Sequence, residues 1–262
     1  MNILGIVSQQ AGPPPFSPLD VANCKVWLDA SDTSTISLSG SQVTQWTDKT
    51  ANAYQFTQGT AANRPLSGTR TQNGKNVIDF DGTNDKLVSN AANSTWNFLH
   101  NGTEHTIFVA FMMDVDTCNG FMLGTSAAIF TKIGASHGGL AGDRIFSQVS
   151  TGSSLARVVD ADVTGIGDFQ TFTFVSMTMK PSNATASERV AFRYESGAAQ
   201  KPNTASASVV ASDATDALSI GSNSTDTFPM NGVIGEIIVY DVALSDANRI
   251  LIQDYLTTKW NV

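Results

Sequence analysis

Thr106-Ile107-Phe108-Val109-Ala110-Phe111-Met112-Met113 is apolar on both of its faces. In an extended strand successive side chains point to opposite sides, so Ile107, Val109, Phe111 and Met113 face one way and Phe108, Ala110 and Met112 the other. A strand apolar on both sides has to be covered on both, which places it centrally beneath another layer. Phe169–Met179 repeats the pattern, with Phe172 and Phe174 on one face and Val175, Met177 and Met179 on the other. Outward from these two, short β-rich runs are punctuated by Gly, Asn, Asp and Ser, the signature of an antiparallel sandwich or barrel. Strands are expected near Lys25–Asp29, Tyr54–Thr57, Val77–Phe80, Phe121–Gly124, Ala127–Ile133, Arg144–Ser150, Leu155–Asp160, Arg189–Glu195, Ala217–Gly221 and Val233–Asp241. Two helices interrupt them, one around Ser94–Leu99 and one after Ser245. There Ser245 can cap the amides of Asp246, Ala247 and Asn248, and Ile250, Leu251, Tyr255 and Leu256 recur at helical spacing.

The composition bounds the partners. With 262 residues, 41% hydrophobic and 15% charged, the chain can bury a sizeable core without covalent staples. Fifteen Lys and Arg against 23 Asp and Glu give a formal charge of -8 with no basic cluster, which argues against nucleic acid and anionic membrane as partners. Two cysteines, Cys24 and Cys118, are too few for a disulfide framework and lack the neighbours of a zinc site, so buried free thiols are expected. No run is long enough to cross a membrane as a helix, and Met1–Gln10 is no secretory leader.

Residues 1–20 read as an extended arm. Ile3, Leu4, Ile6 and Val7 form a short apolar run that can pair with a partner's sheet edge or fray. Pro13, Pro14, Pro15 and Pro18 then favour polyproline-like backbone. Residues 21–262 are expected to form one sandwich.

Two groups of segments are more specific than composition. The first runs from Val26-Trp27-Leu28-Asp29-Ala30-Ser31-Asp32 through Val43-Thr44-Gln45-Trp46-Thr47-Asp48-Lys49 and Arg64-Pro65 to Asn73-Gly74-Lys75 and Val77-Ile78-Asp79-Phe80-Asp81-Gly82-Thr83-Asn84-Asp85. The second is Leu218-Ser219-Ile220-Gly221, Asn231-Gly232 and Gly235-Glu236-Ile237-Ile238-Val239-Tyr240-Asp241, closing with Leu244-Ser245 and the helix that ends in Leu256–Trp260. Together they resemble the concanavalin A-like lectin/glucanase superfamily, in particular its laminin-G-like domains, which also occur as modules of bacteriophage virion proteins. The resemblance spans residues 20–262. It implies an all-β fold: an antiparallel two-sheet jelly-roll sandwich with a short C-terminal helix and an extended N-terminal arm. In that frame Asp81–Asp85 is expected to form a tight hairpin from which Leu87 re-enters the sheet.

A hydrolase of this superfamily is expected to carry two or three carboxylates alternating along one strand, as nucleophile and acid/base. The four glutamates, Glu104, Glu188, Glu195 and Glu236, are not spaced that way, so a non-enzymatic protein is expected. Asp79 and Asp81 share a strand face, with Asn84 and Asp85 just beyond; such a cluster of oxygens can hold calcium, and no other cofactor is required. The competing reading is that Asp81 and Asp85 cap turn amides. Asp29 with Asp32 is a second pair of the same kind. For a sugar ligand, Trp96 offers an aromatic platform beside Asn93 and Asn97, and His137, flanked by glycines, stands at a pocket or on a loop. Trp27, Trp46 and Trp260 read as framework.

An adhesion-type sandwich without an export signal fits a virion. The leading expectation is therefore a bacteriophage surface protein, a capsid decoration or spike or a tail receptor-binding protein, present in many copies or as a homo-oligomer. Its arm would bind other virion proteins, and its sandwich would take weak, multivalent contacts with cell-surface glycans. The alternatives are a carbohydrate-binding or adhesion module of a cellular protein and a polysaccharide-active enzyme using a pair such as Asp79 and Asp81.

Overall fold

The computed structural model describes residues 15–99, 103–115, 120–125, 131–135, 145–151, 154–159, 169–199, 214–223 and 228–262. His137, Cys118 and the segment holding Ile3, Leu4, Ile6, Val7, Pro13 and Pro14 lie outside them. The described strands are β1 (Cys24–Asp29), β2 (Ile36–Ser39), β3 (Gln42–Thr47), β4 (Gln55–Thr57), β5 (Leu66–Gln72), β6 (Lys75–Asp81), β7 (Leu87–Ser89) and β8 (His105–Met113). They continue with β9 (Gly120–Gly124), β10 (Thr131–Ala135), β11 (Ile145–Thr151), β12 (Ser154–Val159), β13 (Thr173–Met179), β14 (Val190–Tyr194), β15 (Ser219–Ile220) and β16 (Asn231–Tyr240). One α-helix, α1 (Asp246–Trp260), closes the chain.

Every pairing is antiparallel, and the strands form one curled path, β12-β11-β10-β9-β15-β7-β4-β3-β5-β6-β16-β8-β13-β14, with β1 added to β16 and β2 to β3. A single register pair, Gln42↔Leu66, joins β3 to β5. Curling brings the two arms of the path face to face over the larger core, which includes Val26, Leu28, Trp46, Phe56, Phe80, Ile107, Val109, Phe111, Val175, Met177 and Ile237. The opposite face of the β1-β16-β8-β13 arm carries a second cluster, Trp27, Phe108, Phe172, Phe174, Ile238 and Tyr240, covered by Ile252, Leu256 and Trp260 of α1. The two faces expected for β8 and β13 are the two found, and each is buried in its own cluster because neither could meet water without losing roughly 25 cal/mol per Å² of apolar surface.

Three local expectations are corrected. First, Asp81–Asp85 is no hairpin: Gly82 does take the left-handed φ of 74°, but β6 pairs with β5 and β16 while β7 pairs with β4 and β15, so the turn carries the chain from one arm to the other. Second, β16, whose sequence reads as Val233, Gly235, Ile237 and Val239 alternating against Ile234, Glu236, Ile238 and Tyr240, does not alternate throughout. Its register against β8 shifts between Ile234 and Glu236, and this bulge at Gly235 puts both Ile234 and Ile237 in the larger core. A Cβ on Gly235 would stand 2.8 Å from Phe172 Cζ and 2.9 Å from the Trp260 ring, so helix and sheet meet where only glycine fits. Third, the last residues of the expected arm belong to the body: Ser17 caps a 3-10 turn at Pro18–Asp20, and the Tyr240 hydroxyl donates to Pro18 O at 2.9 Å. Ser94–Leu99 is also helical, as a 3-10 segment within Asn93–Leu99.

Candidate functional site

Helix α1 organises the polar chemistry of the outer face. Ser245 accepts from the Asn248 amide, Asp246 sits in the first turn, and Asn261 ends the helix in the left-handed region, so both ends are capped. The buried side of the helix is Arg249, Ile252, Gln253, Leu256 and Trp260, whereas Ile250 and Leu251, read as core from their spacing, are 45% and 46% exposed. Two polar residues face inward because they are partnered there: Arg249 binds Asp246 and Gln253, and the Gln253 amide donates to Glu195 O.

Beneath the helix, Glu236 of β16 is fully buried and has a donor at each of its four acceptor positions. Oε1 accepts from the Trp27 indole at 2.5 Å and the Tyr255 hydroxyl at 2.8 Å. Oε2 accepts from the Trp260 indole at 2.9 Å and lies 2.9 Å from Lys259 Nζ. Lys259 also reaches Asp29 Oδ1 at 2.6 Å, and Lys49 bridges Asp29 (3.1 Å) and Asp32 (2.8 Å) while lying 4.2 Å from the Trp27 ring centroid. Burial pushes the Glu236 carboxyl up, with Lys259 pulling against it. For Asp29 burial also acts upward, but Lys259, Ser31 and Lys49 outweigh it and hold that carboxyl below its ordinary value. This network fastens sheet to helix: Glu236 and Asp29 are buried within it, and Asp32 stands at its solvent edge.

Above it, between α1 and the entering chain, runs an open groove of about 420 Å³. Its apolar wall is Pro15, Phe16, Leu251 and Tyr255, and its polar margin is Asp254, Thr258 and Lys259. Phe16 and Tyr255 meet edge to face, with centroids 6.0 Å apart and planes at 62°. The exposed Asp254 carboxylate and Thr258 hydroxyl beside an aromatic wall suit a small amphipathic ligand, whereas the Lys259 ammonium is already spent on Asp29, Glu236 and the Tyr255 hydroxyl.

The residues singled out in the sequence lie elsewhere. Trp96 is 0% exposed and packs between Tyr54 and Phe56 in the larger core, so it is not an open platform; its bulk fills the space under the 3-10 turn. Asn93 donates to Thr215 O at 2.7 Å and Asn97 accepts from the Ala214 amide at 2.7 Å, so both hold the chain before β15. Asp79 pairs with Arg70 at 3.2 Å and accepts from Thr69. Asp81 Oδ1 accepts from the Thr83 and Asn84 amides, and Asp85 Oδ2 accepts from the Asp81 amide at 3.0 Å. Burial pushes Asp85 up to about 6, the Asp81 amide opposing it and the charges of Asp81 and Asp79 adding to it. Among the described residues no group of three or more His, Cys, Asp and Glu is placed to hold a metal ion. Cys24 is a free thiol that burial pushes up to about 12.

No family model and no curated protein matches this chain. Its fold is similar to that of several solved structures. One is an arabinofuranosidase complexed with arabinofuranosyl-α-1,2-xylobiose: 13% identity, TM-score 0.58, 84% of this chain and 51% of that one. Domain 4 of AbnA, an extracellular GH43 arabinanase of Geobacillus stearothermophilus, in complex with arabinotriose, matches at 12% identity and TM-score 0.56 over 86% of this chain and 96% of that one. A sialidase of Trypanosoma rangeli matches at 14% identity and TM-score 0.56 over 91% and 33%. This chain thus spans about half of the arabinofuranosidase and a third of the sialidase, and nearly all of the arabinanase domain. At these identities the likeness is one of fold alone, a curled antiparallel β-sandwich with a short C-terminal helix. These structures correct two expectations: the bacteriophage virion reading and the reading of a protein outside enzyme chemistry both give way to neighbours that are glycoside hydrolases and a sialidase.

Proposed function

We propose that this chain is the glycan-engaging β-sandwich of a polysaccharide-active protein, and that its Phe16–Tyr255 groove takes a sugar unit of that polysaccharide. The single observation carrying the proposal is the end-to-end likeness to an arabinanase domain described with arabinotriose. The groove supplies the chemistry, with an aromatic wall and the exposed Asp254 carboxylate and Thr258 hydroxyl within one opening. Within this class, the framework segments around Trp27, Trp46 and Asp79–Asp85 favour the laminin-G-like jelly-roll form. Arabinotriose is the first ligand to try, followed by xylo-oligosaccharides and sialyllactose.

Calorimetric titration of the full chain with arabinotriose, in parallel with a reducing-sugar assay on arabinan, tests the proposal. A saturable heat that Phe16→Ala reduces by about tenfold in affinity, near the worth of one aromatic contact, is the expected result. Absence of binding and of sugar release across the three glycan types would refute it.

A further inference from the structure

A second cavity, of about 240 Å³, opens at the start of α1, away from the Phe16–Tyr255 groove. Thr178, Ala191 and Arg193 line it from the outer face of β13 and β14, Lys180 and Glu188 flank it, and Leu244, just before the helix, closes it together with Asp246 and Arg249 on the helix. Register pairs Thr178 with Ala191 and Ser176 with Arg193, while Met177 and Met179 turn to the larger core, so Thr178 points from β13 toward this side. Three cations and two carboxylates meet here, leaving a positive balance inside a chain whose formal charge is -8.

Two observations mark the cavity as built for an anion. The Thr178 hydroxyl is buried, on a residue only 7% exposed, and has no hydrogen-bond partner. A buried hydroxyl left unpaired is destabilising, a penalty that an arriving acceptor removes. Arg193, with a side chain 14% exposed, has as its ionic partner Asp246, at 3.8 Å on a side chain that is 79% exposed and closer to Arg249 at 3.1 Å. Burial and then the neighbouring Arg249 charge press the Arg193 guanidinium below its ordinary value, so positive charge is held there against repulsion. The amide end of a fifteen-residue helix adds to the same field.

We propose that this cavity binds a carboxylate borne by a sugar, a uronic-acid unit, with Arg193 gripping the carboxylate, Thr178 donating its hydroxyl and Lys180 closing the rim. The uronic-acid part rests on the glycan reading above; the carboxylate part rests on the cavity. Its volume lies below the roughly 300–1,000 Å³ of drug-sized pockets and suits one monosaccharide. A planar guanidinium matches a carboxylate with two parallel hydrogen bonds, which an ammonium cannot do.

The test is titration of the full chain with sodium D-glucuronate and sodium D-galacturonate, beside D-glucose, D-galactose, sodium sulfate and arabinotriose. One uronate should bind about tenfold or more tightly than its neutral counterpart and than sulfate, and should weaken as salt is raised. Arg193→Gln should remove most of that preference and Thr178→Val should reduce it, with arabinotriose affinity unchanged in both. Should Arg193→Gln fail to fold, Lys180→Gln at the rim must weaken uronate binding several-fold. Uronates no tighter than neutral sugars, sulfate bound as well as either uronate, or a folded Arg193→Gln protein with unaltered uronate affinity would each overturn the inference. Arabinotriose binding without uronate binding fails this cavity alone; loss of both fails the glycan reading as well.

Discussion

At the scale of single residues, Glu236 decides how the helix is held. Its four donors come from Trp27 on the sheet and from Tyr255, Lys259 and Trp260 on α1, so removing the carboxylate strands two indoles and a tyrosine hydroxyl in a buried space and leaves Asp29 as the ionic partner of Lys259. Glu236→Ala should destabilise the protein by about 3–5 kcal/mol, and Glu236→Gln by less, in denaturant titrations. Asp85 governs a pH effect of the opposite kind to acid denaturation. Its carboxyl is raised from 3.8 to about 6 in the folded protein, so the fold binds that proton more tightly than the unfolded chain does. The stabilisation is complete below about pH 4 and is lost as the pH rises through 6. Asp85→Asn should therefore flatten the fall in Tm between pH 5 and pH 7 in thermal melts. Neither role was legible in the sequence. In the sequence Glu236 is one of four glutamates without the spacing of a catalytic pair, and its partners lie up to 209 residues away. Asp85 was recognised as a turn residue, but burial, which sets its proton affinity, depends on how the arms fold over it.

At the scale of elements, periodicity succeeded where both faces of a strand were apolar and failed where a local defect or a polar contact broke the pattern. β8 and β13 are such strands, and each side chain read from alternation is in the cluster expected. β16 contains a bulge that alternation cannot announce, although Gly235 was the available signal. The short strands β2, β3 and β5 are rich in Ser, Thr and Gln and carry little hydrophobic pattern, so only the Trp46 motif hinted at them, whereas β7 begins at the Leu87 expected to re-enter the sheet. Gly235→Ala should cost about 1–3 kcal/mol of stability, because the added methyl must push Trp260 or Phe172 aside. In α1 the spacing was right for Leu256 and Tyr255 but not for Ile250 and Leu251, which remain open to solvent while Arg249 and Gln253 satisfy themselves inside. Ser245→Ala should lower stability by about 1 kcal/mol through loss of the Asn248 amide cap, a change readable by thermal melts.

At the scale of the whole molecule, the curled sheet leaves its chemistry on the outside, along α1, rather than in the core between the arms. The large aromatic residues that looked suited to ligands, Trp96 above all, are consumed by packing, and the groove forms instead where Phe16 meets Tyr255. That juxtaposition joins residues at opposite ends of the chain, which is why no linear motif marked it. The sandwich itself was legible from strand character and framework segments. Composition and the apparent lack of a leader favoured a virion, whereas the solved structures that share the fold are an arabinofuranosidase, an arabinanase domain and a sialidase. Saturation-transfer NMR on the full chain with arabinotriose addresses the central claim most directly. The account predicts transfer to the sugar's ring protons that disappears in Phe16→Ala and survives in Trp96→Phe. Transfer that persists undiminished in Phe16→Ala, or none at all from the native protein to any of the glycans, would contradict it.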